Sequence, residues 1–169
     1  MITLILPGYS AHNKVWLEEV AGNINADGEI RPIYWDHWTE PSKKFNAKEK
    51  ARILSDISKN KVVNIIAKSL GTLVASYIIE KIPMQIEKVI LCGIPLNDLS
   101  DTHKEDMTRI LKNLGDIKIL CIQNSSDPHG RFEDVKLFVA SVNPKIEVIE
   151  KESNNHEYPY FDEISKFLF

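Results

Sequence analysis

Short apolar runs rich in Ile, Val and Leu recur along the chain, with amphipathic stretches between them. The apolar runs predict six strands, at Ile2–Leu6, Ile30–Tyr34, Val62–Ala67, Lys88–Cys92, Ile117–Gln123 and Ile146–Ile149. The amphipathic stretches predict six helices, at Lys14–Ala21, Ala47–Lys59, Ser69–Ile82, His103–Leu114, Gly130–Val142 and Pro159–Phe169. This alternation is typical of α/β proteins, in which helices cover both faces of a sheet. We therefore expect a mostly parallel, six-stranded, doubly wound sheet with helices on both faces.

The helix predicted at Ser69–Ile82 has a clear apolar face. Its apolar residues follow the spacing of a stripe that packs against a sheet, at Leu70, Leu73, Val74, Tyr77 and Ile78. Gly71 is small, so we expect this helix to lie close to the sheet. By contrast, the segment Trp35–Phe45, which contains Pro41, has no regular pattern and is expected to be a loop.

Length, composition and charge narrow the range of partners. The chain has 169 residues, of which 43% are hydrophobic, and we expect residues 1–169 to form a single domain around one core. Its 21 basic and 24 acidic residues give a net charge of -3 without long runs of like charge. We therefore expect no nucleic-acid partner and no binding to a membrane surface. No apolar run approaches the ~18 residues of a membrane span.

The two cysteines indicate a reducing environment. Cys92 and Cys121 both lie inside apolar, strand-like runs, which favours buried thiols over a disulfide or a metal site. The N-terminal residues Ile2–Leu6 show no charged leader or cleavage site. We expect a soluble, unprocessed, cytoplasmic protein.

The segment Ala67–Thr72 carries the strongest chemical signal. It reads Ala-Lys-Ser-Leu-Gly-Thr and leads from a predicted strand into a predicted helix. This is a nucleophile-elbow pattern, in which a serine on a tight turn needs small residues two positions before and two after it. Ser69, flanked by Ala67 and Gly71, is therefore a candidate nucleophile. A serine here also suits a helix N-cap, and the motif alone does not separate the two interpretations.

Candidates for an acid and a base follow two later strands. Asp127 lies just beyond the strand predicted at Ile117–Gln123, and His156 follows the strand predicted at Ile146–Ile149. Taken singly, Asp127 fits an ordinary Asp-Pro turn and His156 an exposed loop histidine. Their joint position after strand ends, in the order serine, acid, histidine, predicts a catalytic triad of Ser69, Asp127 and His156.

The remaining histidines are weaker candidates for the base. His129 is the main rival, but it is so close to Asp127 in sequence that we expect it at the rim of the site. His12, His37 and His103 have no matching partners. The histidines and cysteines lack the spacing of metal ligands, so we expect no metal ion, and the triad requires no cofactor.

The loop after the first strand supplies candidates for binding an oxyanion. Gly8 allows the backbone to approach the site closely. We expect the N–H groups of Tyr9 and Leu70 to form an oxyanion hole, with Ser10 as the alternative to Tyr9.

Candidate substrate-binding residues flank these positions, at Gly8, Ser10, Lys68 and Trp35. An apolar acyl pocket could be lined by Trp16, Trp35, Trp38 and Tyr9, with a core position as the favoured alternative for Trp16. Lys68 either favours an anionic substrate or lies along the elbow with its charge in water, and the second interpretation is preferred.

Across nearly its whole length the chain resembles the small α/β-hydrolase-fold serine hydrolases of the retinoblastoma-binding-protein-like group, which have little or no cap. The resemblance rests on Pro7-Gly8, Trp16, Trp35, the elbow Ala67–Gly71, Ser126-Asp127-Pro128 and His156. It implies a single-domain α/β-hydrolase fold with Ser69 as nucleophile, Asp127 as orienting acid and His156 as base. The chain departs from the common pattern of this group at Lys68 and at Tyr9-Ser10.

The predicted function is hydrolysis of a small ester, thioester or related acyl substrate through an acyl-enzyme. The expected partner is a small-molecule acyl substrate, and no protein partner is indicated. The alternative from another class is a non-catalytic interaction module with the same fold. A weaker alternative is a dyad of Ser69 and Lys68, which would survive the loss of His156.

Overall fold

The computed structural model describes residues 1–40 and 42–169. Within them, six strands form, β1 (Ile2–Leu6), β2 (Glu29–Pro32), β3 (Val63–Lys68), β4 (Ile86–Cys92), β5 (Lys118–Asn124) and β6 (Glu147–Lys151). Six α-helices lie between or after them, α1 (Asn13–Asn23), α2 (Ala47–Ile57), α3 (Leu70–Lys81), α4 (Asp101–Lys112), α5 (Phe132–Val142) and α6 (Phe161–Leu168). Two short 3-10 helices occur at Asp36–Trp38 and Pro83–Gln85.

The strands form one sheet in the order β2-β1-β3-β4-β5-β6, and every neighbouring pair is parallel. The predicted six-stranded doubly wound sheet is confirmed. The chain winds outward from β1 to one edge and from β3 to the other, so the strand order reverses between these two strands. Ligands of such sheets bind at this reversal, beyond the carboxyl ends of the strands.

Helices cover both faces of the sheet, as predicted. Alternate residues of a strand point to opposite faces, and on β3 Ile65 packs with the helices of one face while Ile66 packs with those of the other. Buried side chains of α2, α3, α4 and α5 complete the first core, and those of α1 and α6 complete the second. The sheet is therefore buried between two helical layers, which explains its continuous apolar strand sequences.

Helix α3 lies directly against the sheet, as the small residue at Gly71 predicts. A Cβ atom added at Gly71 would collide with the backbone carbonyl oxygens of Leu6 and Pro7. This close approach brings the start of α3 next to the loop that follows β1.

Two helices, α5 and α6, begin two residues later than the sequence predicts. Gly130 lies before α5 because a turn holds its backbone. Its N–H donates to the Asp127 carbonyl, and its carbonyl accepts from the side-chain amide of Gln123. The last helix begins at Phe161 rather than Pro159, since the backbone of Tyr160 is not helical. The predicted loop Trp35–Phe45 contains the 3-10 turn at Asp36–Trp38, and Pro41 lies outside the described residues.

Both cysteines are buried free thiols, as predicted. Burial raises the pKa of Cys92 to about 12, which removes this residue from consideration as a thiolate nucleophile. None of the helices formed by residues 1–40 and 42–169 combines the length and the apolar character needed to cross a membrane.

Candidate active site

Ser69 occupies a strained turn between β3 and α3. Its backbone angles are φ 54° and ψ −127°, a left-handed conformation that non-glycine residues rarely adopt. The Ser69 N–H donates to the Cys92 carbonyl at 2.9 Å, and the Ser69 carbonyl accepts from the Thr72 hydroxyl at 2.7 Å. Ser69 stands at the N-cap position of α3, but its side chain makes no capping hydrogen bond, so helix capping does not explain a serine here. A conformation of this kind costs roughly 1–3 kcal/mol and is typical of functional sites.

Asp127 is a fully buried carboxylate that accepts three hydrogen bonds. His156 Nδ1 lies 2.6 Å from Oδ2, the Tyr158 hydroxyl donates to the same oxygen at 2.5 Å, and the His129 N–H donates to Oδ1 at 2.8 Å. Burial by itself raises the pKa of Asp127, but the hydrogen bonds from His156 and Tyr158 outweigh it and the pKa is lowered. Asp127 is therefore ionised at neutral pH.

His156 is oriented by that carboxylate. Because an ionised carboxylate only accepts hydrogen bonds, Nδ1 carries the proton, and in the neutral ring Nε2 is an acceptor. Nε2 is buried and has no hydrogen-bond partner among the described residues. An unpaired acceptor on an oriented imidazole is the arrangement that a general base requires.

Asn124 fixes the loop that carries His156. Its side-chain amide donates to the carbonyls of Asn155 and Glu157, each at 2.9 Å. Its Oδ1 accepts from the Tyr160 hydroxyl at 2.6 Å. Since Asn155 and Glu157 flank His156 on both sides, the end of β5 controls the position of the histidine as well as that of Asp127.

A cleft of about 330 Å³ opens at the carboxyl ends of the strands. Its lining includes Ser69, His156, Tyr9, Ser10 and Leu70, which are five of the predicted site residues. In the described part of the chain, Ser69 Oγ and His156 Nε2 are not hydrogen bonded to each other. In unliganded enzymes such a bond is often long and shortens when substrate binds.

Trp35 controls the direction of the peptide between Gly8 and Tyr9. The indole N–H of Trp35 donates to the carbonyls of Pro7 at 3.2 Å and Gly8 at 3.1 Å. In a trans peptide the N–H points opposite to the C=O, so the Tyr9 N–H faces away from Trp35. Neither this N–H nor that of Leu70 has an acceptor among residues 1–40 and 42–169.

The predicted contact of Trp35 with substrate is wrong, because its side chain is only 2% exposed and belongs to the core. Gly8 is also buried and lies against Asn13 rather than lining the cleft. Both residues shape the loop after β1 from beneath. Trp16 is buried too, and its indole N–H donates to the Tyr158 carbonyl at 2.9 Å.

The interpretation of Lys68 as a cation in water is wrong. Its side chain is 3% exposed, and Nζ lies 2.9 Å from Oε2 of Glu157 and 5.6 Å from the centre of the Trp16 ring. Lys68 is the last residue of β3, and its side chain points to the face that α1 covers, so its charge is buried under that helix. It does not line the cleft.

A second acid–histidine pair lies at the rim of the cleft. His129 Nδ1 lies 2.5 Å from Oδ2 of Asp98, and both side chains are about half exposed. The His129 ring is centred 4.4 Å from that of His156. Because its Nδ1 is engaged with Asp98 rather than Asp127, His129 is not the histidine that the buried acid orients.

The sequence does not predict a role at the site for Tyr158 and Asn124, which hold the acid and the histidine loop. Nor does it predict the three further residues that line the cleft, Asp98, Asn13 and Pro95. Tyr158 and Asn124 carry no motif, and only their positions beside His156 and at the end of the fifth strand connect them with the site. Within residues 1–40 and 42–169, no group of three or more His, Cys, Asp or Glu residues is arranged to hold a metal ion.

Comparisons with known proteins place this geometry in a structural context. No protein-family model and no curated protein matches the sequence. Among solved structures, a protein described as a YdeN-like hydrolase from Pectobacterium atrosepticum is 16% identical with a TM-score of 0.67, and the match covers 99% of this chain and 91% of that one. A monoacylglycerol lipase from Paleococcus ferrophilus is 14% identical with a TM-score of 0.65, and the match covers 98% and 89%.

An α/β serine hydrolase homologue from Coxiella burnetii is 15% identical, with a TM-score of 0.62 and coverage of 99% of this chain and 83% of that one. At these identities the likeness concerns the fold, which extends over almost the whole of the chain. With its parallel sheet, its strand order and its strained serine after β3, the protein has the α/β-hydrolase fold.

Proposed function

We propose that the protein is a serine hydrolase that cleaves a small ester, thioester or related acyl substrate through an acyl-enzyme. Ser69 is the nucleophile, His156 the general base and Asp127 the orienting acid. The hydrolase, lipase and serine hydrolase names of the structural neighbours support the class. Residues 1–169 act as one hydrolase domain, and we assign the chain to the lidless retinoblastoma-binding-protein-like group on its motifs.

One observation carries this proposal. A buried carboxylate holds His156 through Nδ1 at 2.6 Å, which leaves Nε2 unpaired among the described residues, in a cleft shared with a serine in a left-handed conformation. An acid, a base and a nucleophile in this relation form the working parts of a catalytic triad.

In the mechanism, Ser69 Oγ attacks the acyl carbonyl carbon while His156 Nε2 takes the hydroxyl proton. Asp127 stabilises the imidazolium and keeps the proton on Nδ1. Collapse of the tetrahedral intermediate expels the alcohol or thiol, which receives the proton from Nε2. Water then attacks the acyl-enzyme by the same route, releasing a carboxylic acid and restoring Ser69.

The N–H groups of Tyr9 and Leu70 stabilise the oxyanion. The absence of other acceptors for them within the described residues supports this role, as does the control of the Gly8–Tyr9 peptide by Trp35. One such donor is worth about 3 kcal/mol in the transition state. Ser10, which also lines the cleft, is the alternative donor.

Two structural facts argue against the alternatives. The backbone conformation of Ser69 costs roughly 1–3 kcal/mol in strain. A non-catalytic interaction module does not require such a conformation, whereas a nucleophile exposed on a tight turn does. A dyad of Ser69 with Lys68 needs a free amine near Oγ, but Nζ of Lys68 is paired with Glu157 at 2.9 Å.

Fluorophosphonate labelling tests the proposal. We expect intact-mass analysis to show one phosphonyl adduct on the wild-type protein and none on Ser69→Ala. Ser141→Ala is the matched control, because this exposed serine lies on α5 and bonds only to the Phe138 carbonyl; it should label like wild type. Folded wild-type protein that stays unlabelled, or equal labelling of Ser69→Ala, would contradict the proposal.

A further inference from the structure

A second cavity adjoins the candidate active site on the side of α3. It has a volume of about 270 Å³ and lies between the starts of α2 and α4 and the first two turns of α3. We name it the acyl groove; its apolar lining consists of Phe45, Ala47, Leu70, Leu73 and the Tyr77 ring. Apolar surface that faces a cavity of this size is typical of sites for small apolar ligands.

Leu70 connects the acyl groove to the catalytic cleft. Leu70 lines both cavities, and its N–H is the oxyanion donor on the elbow helix in the proposed mechanism. Phe45 forms a second connection, because its ring packs edge-on against that of Tyr9, with centroids 5.7 Å apart, and Tyr9 lines the cleft. A carbonyl held at the N–H groups of Tyr9 and Leu70 thus lies at the entrance of the groove.

The spacing of residues on α3 sets the length of the groove. Leu70, Leu73 and Tyr77 stand at i, i+3 and i+7, so they share one face of the helix. Seven residues of α-helix extend about 10 Å, which suits an acyl chain of medium length. Leu73, at 1% exposure, forms the closed floor.

Polar side chains close the far end. The Tyr77 hydroxyl donates to Asp106 at 2.7 Å, and Lys48 Nζ lies 3.0 Å from the same carboxylate. These bonds, first that from Tyr77 and then that from Lys48, lower the pKa of Asp106 to about 2. A longer acyl chain would have to desolvate this charged cluster, so the groove favours chains that end before Tyr77.

We propose that the acyl groove binds the acyl chain of the substrate and makes the enzyme selective for medium-chain acyl groups, such as hexanoyl, over acetyl. This inference rests on the proposed function, since it places the acyl chain beside the carbonyl attacked by Ser69. It replaces the tryptophan-lined pocket expected from the sequence, because Trp16 and Trp35 are core residues and Trp38 lines neither the groove nor the cleft that contains Ser69.

Kinetics with p-nitrophenyl acetate, butyrate and hexanoate test the proposal. Each fully buried methylene is worth about fourfold in binding, so we expect kcat/KM to rise at least about tenfold from acetate to hexanoate. Ala47 on α2 and His103 on α4 both line the groove, so Ala47→Trp and His103→Trp each fill it from a different helix. Each variant should reduce kcat/KM for hexanoate to about the acetate value, and its effect on acetate should be much smaller, because an acetyl group is too short to extend along the groove.

Ala140→Trp is the matched control, since Ala140 is exposed on α5 and does not line the groove. It should keep the preference of the wild-type protein, and circular dichroism should show that all three variants are folded. Two folded groove variants that retain the preference for hexanoate would overturn the proposal, as would equal losses for both esters or a wild-type enzyme indifferent to chain length.

Failure of the groove and failure of the proposed function give different results. If the protein is phosphonylated at Ser69 and hydrolyses the acetate ester, but shows no dependence on chain length, only the proposal of the acyl groove is contradicted. If the folded protein hydrolyses none of the esters and is not phosphonylated, both proposals are contradicted.

Discussion

Tyr158→Phe tests how the buried acid of the candidate triad is held. The hydroxyl of this fully buried side chain donates to Asp127 at 2.5 Å and accepts from the Asn124 N–H at 3.2 Å. Phenylalanine keeps the ring and its packing, so the loss is confined to these two hydrogen bonds. A hydrogen bond to a charged group is worth about 1.5–3 kcal/mol, and a buried N–H without a partner costs about 1–3 kcal/mol. We expect the free energy of unfolding to fall by about 3 kcal/mol at neutral pH.

The loss of stability should depend on pH. The Tyr158 hydrogen bond helps to keep the pKa of Asp127 below its usual range against the effect of burial. A carboxyl with a lowered pKa stabilises the fold above its unfolded-state pKa, and this stabilisation disappears as pH falls through the folded-state pKa. In the variant the pKa of Asp127 rises. The difference between wild type and variant should therefore narrow as the pH is lowered from neutral to about 4 and below.

Urea unfolding followed by circular dichroism at neutral and acidic pH measures this difference. Tyr160→Phe is the matched control, since its hydroxyl donates at 2.6 Å to the uncharged amide oxygen of Asn124; we expect a loss of about 1 kcal/mol that does not vary with pH. A loss below about 0.5 kcal/mol for Tyr158→Phe, or a gap that stays constant with pH, would refute the linkage between Tyr158 and the ionised carboxylate.

Three further predictions, which use five substitutions, concern the site and the packing beneath it. Asp127→Asn should lower kcat for p-nitrophenyl acetate by about 10⁴-fold, because an amide no longer favours the Nδ1–H tautomer; unchanged kcat would contradict this. His156→Ala should lower kcat by about 10⁴-fold or more. His129→Ala should change kcat by no more than about tenfold. The opposite result, with the larger loss for His129→Ala, would make His129 the base. In urea unfolding, Gly71→Ala should lower the free energy of unfolding by about 2 kcal/mol, because the added methyl collides with backbone carbonyls. Gly22→Ala is the control, since its added methyl meets no atom, and it should stabilise helix α1 by about 0.5–1 kcal/mol. Equal effects of the two substitutions would exclude overpacking at Gly71.

The order of elements in this fold follows from the sequence because it depends on local patterns. The run Val63–Lys68 is apolar enough to be buried on both faces, and the helix after it has its stripe at helical spacing. The predicted starts of the last two helices are less accurate, because Gly130 and Tyr160 are held by hydrogen bonds to residues on β5.

The candidate nucleophile, acid and base could also be predicted from the sequence, because each follows the end of a strand and they occur in a known order. Parallel strands bring their carboxyl ends to one edge of the sheet, so residues that directly follow strands come together there. The hydrogen bond between Asp127 and His156 follows from this geometry, although 29 residues separate them.

Only the tertiary structure decided which side chains near the site face the cleft. Lys68 and Trp35 look available for substrate in the sequence, but one pairs with Glu157 on the α1 side of the sheet and the other supports the loop after β1 from the core. Tyr158 reaches Asp127, and Leu70 joins two cavities, through contacts between distant segments. Local patterns determine strands, helices and their order, whereas the direction of each polar side chain depends on partners that the chain acquires only when it folds.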